Sequence, residues 1–386
     1  MIPYSRQYID QKDINNVIKV LKSPLITQGK IVPKFEKKIS KKCGSKFAFA
    51  ANSATSALHL ACMALEIKKG DIVWTVPNTF VASANCGLYC GAKVDFVDID
   101  NETYNIDIDK LAKKLELAKK KNNLPRALIP VHFAGQPTEQ DKIWKLSKKY
   151  KFKIIEDASH SLGAVFKNEK VGSCRWSDLT IFSFHPVKMI TTGEGGMVLT
   201  NNSKLSAKIE MLRNSGITRN QKLMKKQNQG SWYYEQQLLG YNYRMTDIQA
   251  ALGISQLSKL GKFIKKRNQI AKRYNNLLKD LPIQTPRINT NSRSSFHLYV
   301  IRLKDLSFRS YSRIFDELRN SGIGVNLHYL PVHLQPFYRS KGFKDGDFPN
   351  AESYSSEALS LPIYYDLSSK DQIKIVNKLK KAIQKT

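Results

Sequence analysis

Acidic residues are scarce in this chain: 32 Asp and Glu face 63 Lys and Arg, leaving a formal charge of +31. Cysteine is scarce too. The five, Cys43, Cys62, Cys86, Cys90 and Cys174, are an odd number with no pair of CxxC motifs, which excludes a disulfide framework and fits a reduced cytoplasm. Cys86 and Cys90 could meet on one helix at four-residue spacing, but no histidine stands near them, so they read as small buried apolar groups and no metal is expected. Long apolar runs are also missing. No 18 apolar residues run uninterrupted, and Met1 to Arg6 leads into no signal-like segment, so no membrane span is expected and the chain reads as soluble and cytoplasmic. No internal repeat and no coiled coil is visible. The positive charge raises nucleic acid as a partner, with Lys119-Lys120-Lys121 and Lys148-Lys149 as its clusters. These clusters lie scattered on helix faces, without zinc-finger spacing or aromatic RNA-binding motifs. Attraction to an anionic substrate is the better reading, and no nucleic-acid partner is expected.

What is present suits a large folded enzyme. A chain of 386 residues with 41% apolar content buries a sizeable core and suggests two domains, taken here as 1–250 and 251–386. Ile14, Val17, Ile18 and Leu21 make one helical face, and a second amphipathic helix runs around Phe35 and Ile39. Strand signals at 71–77, 93–99, 127–133, 152–157 and 179–184 then alternate with helical runs at 54–65, 108–121 and 140–150, and another helix starts within 78–84. Such alternation predicts an α/β domain with a mostly parallel sheet, its ligands gathered beyond the carboxyl ends of the strands. A helix at 205–212 and a polar, lysine-rich mobile loop at 218–232 follow. A long helix over 251–278 leads through Pro282, Pro286 and the Ser/Asn-rich 289–295 to a smaller C-terminal α+β domain, with a strand at 297–301 and a helix at 311–321.

One lysine stands apart from the rest by context. Lys188 sits in Ser183-Phe184-His185-Pro186-Val187-Lys188, between an aromatic turn and the glycine-rich exit Gly193-Glu194-Gly195-Gly196. Asp157 closes the strand-like Lys153-Ile154-Ile155-Glu156-Asp157, and Asn52-Ser53-Ala54-Thr55-Ser56-Ala57-Leu58 reads as a turn opening a helix. A serine at a helix start is ordinarily an N-cap, and an aspartate after a strand is ordinarily a turn residue. Together the three stretches match the needs of pyridoxal 5'-phosphate (PLP). An amine must capture the aldehyde, a carboxylate must keep the pyridine nitrogen protonated, and a helix start must hold the phosphate.

On these stretches, and on Leu25-Ile26-Thr27-Gln28-Gly29-Lys30 and Asp157-Ala158-Ser159-His160-Ser161-Leu162-Gly163, the chain resembles the DegT/DnrJ/EryC1/StrS family of sugar aminotransferases over nearly its whole length. The resemblance implies the fold-type I architecture of aspartate aminotransferase, PLP as cofactor, and transfer of nitrogen from L-glutamate to C4 of a UDP-4-keto-6-deoxy amino sugar in surface-glycan synthesis. Amination at C3, or of a dTDP- or GDP-sugar, is the alternative, and a basic nucleic-acid-binding or regulatory protein with a relict site is the alternative of another class. Sugar dehydratases of the superfamily carry histidine in place of the lysine, so Lys188 speaks against them. By resemblance, Lys188 and Asp157 are catalytic with His160 beside them; Ser53, Ala54, Thr55, Phe80 and Ser183 hold the cofactor. A core place for Phe80 and a structural place for His160 remain open. Asn242, in Leu239-Gly240-Tyr241-Asn242-Tyr243-Arg244, would reach the phosphate site of a neighbouring subunit, implying a homodimer with shared sites. Tyr4, Thr27, Gln28, His185 and the segment Asn326, Leu327, His328 and Tyr329 are the substrate-contacting candidates, a plain edge strand being the competing account of that segment.

Overall fold

Seven strands form the sheet on which the site is built. In the computed structural model, which describes residues 1–226 and 229–385, they are β1 (Phe47–Ala51), β2 (Ile72–Thr75), β3 (Lys93–Phe96), β4 (Ala127–Leu128), β5 (Lys153–Asp157), β6 (Leu179–Ser183) and β7 (Gly196–Thr200). Their order across the sheet is β1-β7-β6-β5-β4-β2-β3. The five from β6 to β3 are parallel, whereas β7 runs antiparallel to both β6 and β1. Strands covered on both faces by helices read as continuous apolar runs, and every residue of β6 and β7 is buried. β4 is shorter than the 127–133 run suggests. Pro130 has no N–H to offer the ladder, and pairing resumes only as a bridge from Val131 to Asp157.

The helices of this part are α1 (Gln11–Leu21), α2 (Ile31–Cys43), α3 (Ala54–Ala64), α4 (Ala82–Tyr89), α5 (Ile108–Lys120), α6 (Gln140–Tyr150) and α7 (Ser203–Leu212). The long helix α8 (Asp247–Leu278) starts four residues before the position expected from sequence. Thr246 and Gln249 explain this: the threonine hydroxyl accepts the Gln249 N–H while the glutamine side chain accepts the Thr246 N–H, satisfying two donors at the helix start. Residue 250 therefore lies in the first turn of α8. Leu257, Leu260 and Phe263 belong to the core under the large sheet, whereas Ile270, Ala271, Tyr274 and Leu278 pack with the C-terminal unit, so the helix passes from one core to the other between 263 and 270.

That smaller unit pairs β8 (Tyr299–Arg302) antiparallel with β9 (Ala358–Leu361) and packs α9 (Phe308–Asn320) against them. The chain's start joins it, because Ile2 donates to the Gly322 carbonyl and accepts from the Gly324 N–H. The first residues thus run along the C-terminal unit. Of the segment 218–232, residues 227–228 lie outside those described; Gln221–Leu223 form a 3-10 turn, and Ile217–Thr218 pair with Glu235–Gln236. All five cysteines are free thiols.

Candidate active site

The carboxyl end of β5 delivers Asp157, 6% exposed, into the interior. Its Oδ2 accepts a 2.6 Å hydrogen bond from the Ser83 hydroxyl, and its Oδ1 accepts the Ser159 N–H at 3.1 Å. Ser83 is itself in contact with Thr79 Oγ1 at 2.9 Å, so α4 brings a short hydroxyl relay to the carboxylate. Ser83 was not singled out by its sequence context; the only signal was two hydroxyls four residues apart at a helix start.

Lys188 stands on a turn that the backbone closes repeatedly. Phe184 donates to Gly195 O and accepts from Thr192 N, Lys188 N–H bonds His185 O at 2.9 Å, and Gly193 takes a φ of +78°, which a side chain would strain. Phe184 is wholly buried against Phe35, which fixes the depth of the turn. The lysine Nζ lies 3.4 Å from Nε2 of His297. Burial lowers the Lys188 amine from the usual 10.5 to about 8, against the opposing pull of Asp157. The surrounding imidazoles are held neutral: burial first, and the Lys188 charge second, depress His160, His297 and His328, the last to about 3. Among the described residues no ion pair joins Lys188 to Asp157. A half-buried amine and a buried carboxylate that do not pair with each other are each free to meet a bound group.

A cradle lies beside them. Ala51 and Ser183 both pair with Gly196, so the turn after β1 and the end of β6 face each other across a glycine. A Cβ at Gly196 would fall 2.3 Å from Ser53 O and 2.7 Å from Ala54 N, so only glycine permits this approach. Ser53 caps α3 by accepting the Ser56 N–H, which leaves the Ala54 and Thr55 N–H groups of the first turn without backbone partners, as an anion site requires. Among the described residues, three buried polar atoms around these stretches also have no hydrogen-bond partner: Asn52 Oδ1, His160 Nδ1 and His297 Nδ1. An anion-binding helix start, a buried carboxylate, a half-buried amine of lowered basicity and orphaned polar atoms fit a phosphorylated, pyridine-containing aldehyde.

The model of the DegT/DnrJ/EryC1/StrS aminotransferase family matches residues 7–380. The chain belongs to this family. It is 43% identical to the UDP-4-amino-4,6-dideoxy-N-acetyl-beta-L-altrosamine transaminase of Campylobacter jejuni over 372 residues, which cover 96% of this chain and 94% of that one. Among solved structures it resembles Helicobacter pylori PseC, an aminotransferase of pseudoaminic acid biosynthesis, with a TM-score of 0.91 and 32% identity over 100% of both chains. It also resembles the PLP form of the putative sugar aminotransferase Spr1654 of Streptococcus pneumoniae, with a TM-score of 0.90 and 29% identity over 100% of this chain and 99% of that one. The protein is a PLP-dependent sugar aminotransferase of this family with the α/β, fold-type I architecture.

The family's sugar-side candidates divide in two. Tyr329 joins the lysine cluster: its hydroxyl lies 3.2 Å from His160 Nε2, and its N–H donates to Asn78 Oδ1. Phe80 stands at the same mouth, its ring 6.5 Å from that of Tyr329 and 58% exposed, which places it outside the core and open to stack on a ligand. Tyr4 packs against His328 at 5.2 Å, and His328 Nδ1 bonds Ser360 at 2.8 Å. His185 is exposed beside the turn, and partial desolvation lowers its basicity. The Asn326 backbone pairs with Ser360 and its side-chain Oδ1 accepts the Leu327 N–H, while Leu327 packs against the large core. Thr27, Gln28 and Asn242 make no hydrogen bond or ring contact with the cluster among the described residues. Asp247 ties the loop of Thr27 and Gln28 to α8 by accepting from Gly29 and Val32, and Asn242 is exposed next to the α3 start, where Tyr243 O accepts the Asn52 N–H. His297 is the second residue missed. It follows the connector 289–295 and gives no motif, only a polar residue ahead of a buried strand.

Proposed function

We propose that this enzyme moves the amino group of L-glutamate to C4 of a UDP-4-keto-6-deoxy-N-acetyl amino sugar, in synthesis of pseudaminic acid or a related surface-glycan sugar. The observation that carries the reading is a half-buried Lys188 amine of lowered basicity and a buried Asp157 carboxylate that do not pair with each other, at the carboxyl edge of the sheet, in a chain 43% identical to an amino-sugar transaminase along 96% of its length. When bound, PLP supplies an aldehyde that captures amines and a ring that stores the electron pair left when a carbon gives up its proton.

Each other role falls to residues of this chain. Lys188 would hold the cofactor covalently; its free amine, which burial lowers to about 8, would then take a proton from the α-carbon of the donor and return one to the sugar carbon that receives nitrogen. Asp157, fixed by Ser83 and Ser159, keeps the pyridine nitrogen protonated. The N–H groups of Ala54 and Thr55, with Ser53 and Ser183, would hold the phosphate, and the exposed Phe80 would stack on the ring. His160, its Nε2 3.2 Å from the Tyr329 hydroxyl, would face the ring or its oxygen edge. Tyr4, His185, His328 and Tyr329 line the sugar side. The likeness in sequence adds Thr27, Gln28, Asn326 and Leu327 there, with the Asn326 side chain required to leave Leu327 first.

In this reading the protein is a cytoplasmic homodimer and Asn242 completes the phosphate site of the neighbouring subunit, which accounts for its exposure here. Among the described residues no helix is long and apolar enough to cross a membrane. The test is incubation with glutamate and a panel of nucleotide 4-keto and 3-keto sugars, followed by mass analysis. Conversion of the UDP-4-keto amino sugar with release of 2-oxoglutarate is expected; turnover confined to 3-keto, dTDP- or GDP-sugars would overturn the assignment.

A further inference from the structure

His297 touches the reactive amine, yet it comes from a different part of the chain than every motif of the site. Its ring is 1% exposed, its Nε2 is 3.4 Å from Lys188 Nζ, and its ring centroid is 4.3 Å from that of His160. Its place is fixed from two sides. Arg267 of α8, itself buried, donates through Nη1 to the carbonyls of Phe296, His297 and Ile363. Ser295 donates its hydroxyl to His160 O at 2.7 Å and its N–H to Gly135 O. The connector between the two units is thereby latched to the loop after β5, with His297 held over the lysine.

The chemistry of the pair decides its polarity. A lysine ammonium has three donors and no acceptor, so in that state Nε2 of His297 must accept, and Nδ1 carries the imidazole proton. The groups facing Lys188 are Asp157, His160, His185, His297 and His328; those facing His297 are Lys188, His160, Arg267 and His328. Burial, reinforced by Lys188, His160, Arg267 and His328, keeps His297 from taking a second proton, so it keeps one acceptor nitrogen for the ammonium.

We propose that His297 is a positioning residue for Lys188, accepting a hydrogen bond from the free lysine amine and holding it in one orientation between its two proton transfers. This rests on Lys188 being the cofactor-bearing lysine. A freely rotating amine would lose the alignment on which proton transfer to and from carbon depends. Glutamine at 297 can present an acceptor near the position of Nε2, whereas phenylalanine fills the space without one.

The test compares His297→Gln and His297→Phe in the PLP-loaded protein and in protein stripped of cofactor. The phenylalanine variant should slow the half-reaction with glutamate about 10- to 100-fold while KM for glutamate stays within about twofold, and glutamine should restore most of the rate. In stripped protein, competitive acetylation with acetic anhydride across a pH series should show the Lys188 midpoint moving down by about one pH unit in His297→Phe and little in His297→Gln, because the ammonium loses its acceptor. An unchanged rate and midpoint in His297→Phe would overturn the proposal. So would equal losses in both variants accompanied by equal falls in thermal midpoint, which mark a packing role. Borohydride reduction and peptide mapping of each variant keep the two readings apart: cofactor on Lys188 with unaffected kinetics refutes only His297, whereas cofactor on another lysine refutes both.

Discussion

Lys188→Met should make the cofactor-free protein more stable at neutral pH, and less so as the solution becomes alkaline. The folded protein lowers the Lys188 amine from 10.5 to about 8, because burial outweighs the attraction of Asp157. The unfolded chain therefore binds this proton more tightly, and the charged lysine works against the fold below about pH 8. A fall from 10.5 to about 8 corresponds to about 3 kcal/mol, by order of magnitude. That penalty is fully present at pH 7, fades as pH rises from about 8, and is gone above about 10.5. Methionine fills similar space without charge, and Asp157 keeps its donors from Ser83 and Ser159 in the variant. Urea unfolding of both cofactor-free proteins at pH 7 and at pH 10.5 measures the difference directly. A gain of roughly 2–3 kcal/mol at pH 7 that shrinks towards zero is expected. Equal stability at pH 7, or a difference independent of pH, would show that the amine reaches water and that burial does not set its basicity.

Other substitutions test the remaining parts of the site. Asp157→Asn should bind cofactor yet turn over at least about a hundredfold slower, a loss of about 3 kcal/mol, because a neutral amide no longer holds the ring proton; near-normal turnover would remove the carboxylate from its role. Ser83→Ala deletes a 2.6 Å bond to that carboxylate and should cost about 1.5–3 kcal/mol in the same half-reaction, measured by stopped-flow absorbance. Mixing Lys188→Ala subunits with subunits in which a bulky residue replaces Asn242 should restore activity, since one site of a mixed two-fold dimer carries neither defect. Absence of activity after verified subunit exchange would place Asn242 outside the partner's site.

Legibility in the sequence followed the reach of local signals. The α/β alternation announced the sheet because strands covered on both faces must be apolar throughout, and the turn at Lys188 announced itself through Gly193, Gly195 and Gly196, two of which the backbone requires to be glycine. Pro130 broke a strand that the apolar pattern of 127–133 had suggested, and a capping box four residues upstream shifted the start of α8. Ser83 and His297 escaped notice for a different reason. Each acts on a residue far away in the chain, 74 and 109 positions respectively, through contacts that exist only once α4 and the 289–297 connector have packed. The loop of Thr27 and Gln28 and the exposed Asn242 carry family motifs, yet among the described residues they make no hydrogen bond with Lys188, so the roles proposed for them rest on the likeness in sequence.

The most direct measurement is borohydride reduction of the PLP-loaded protein followed by proteolysis and mass mapping. The account predicts a single stable pyridoxyl adduct, on the peptide containing Lys188, that disappears when glutamate is added before reduction. An adduct on any other of the chain's lysines, or one indifferent to glutamate, would contradict it.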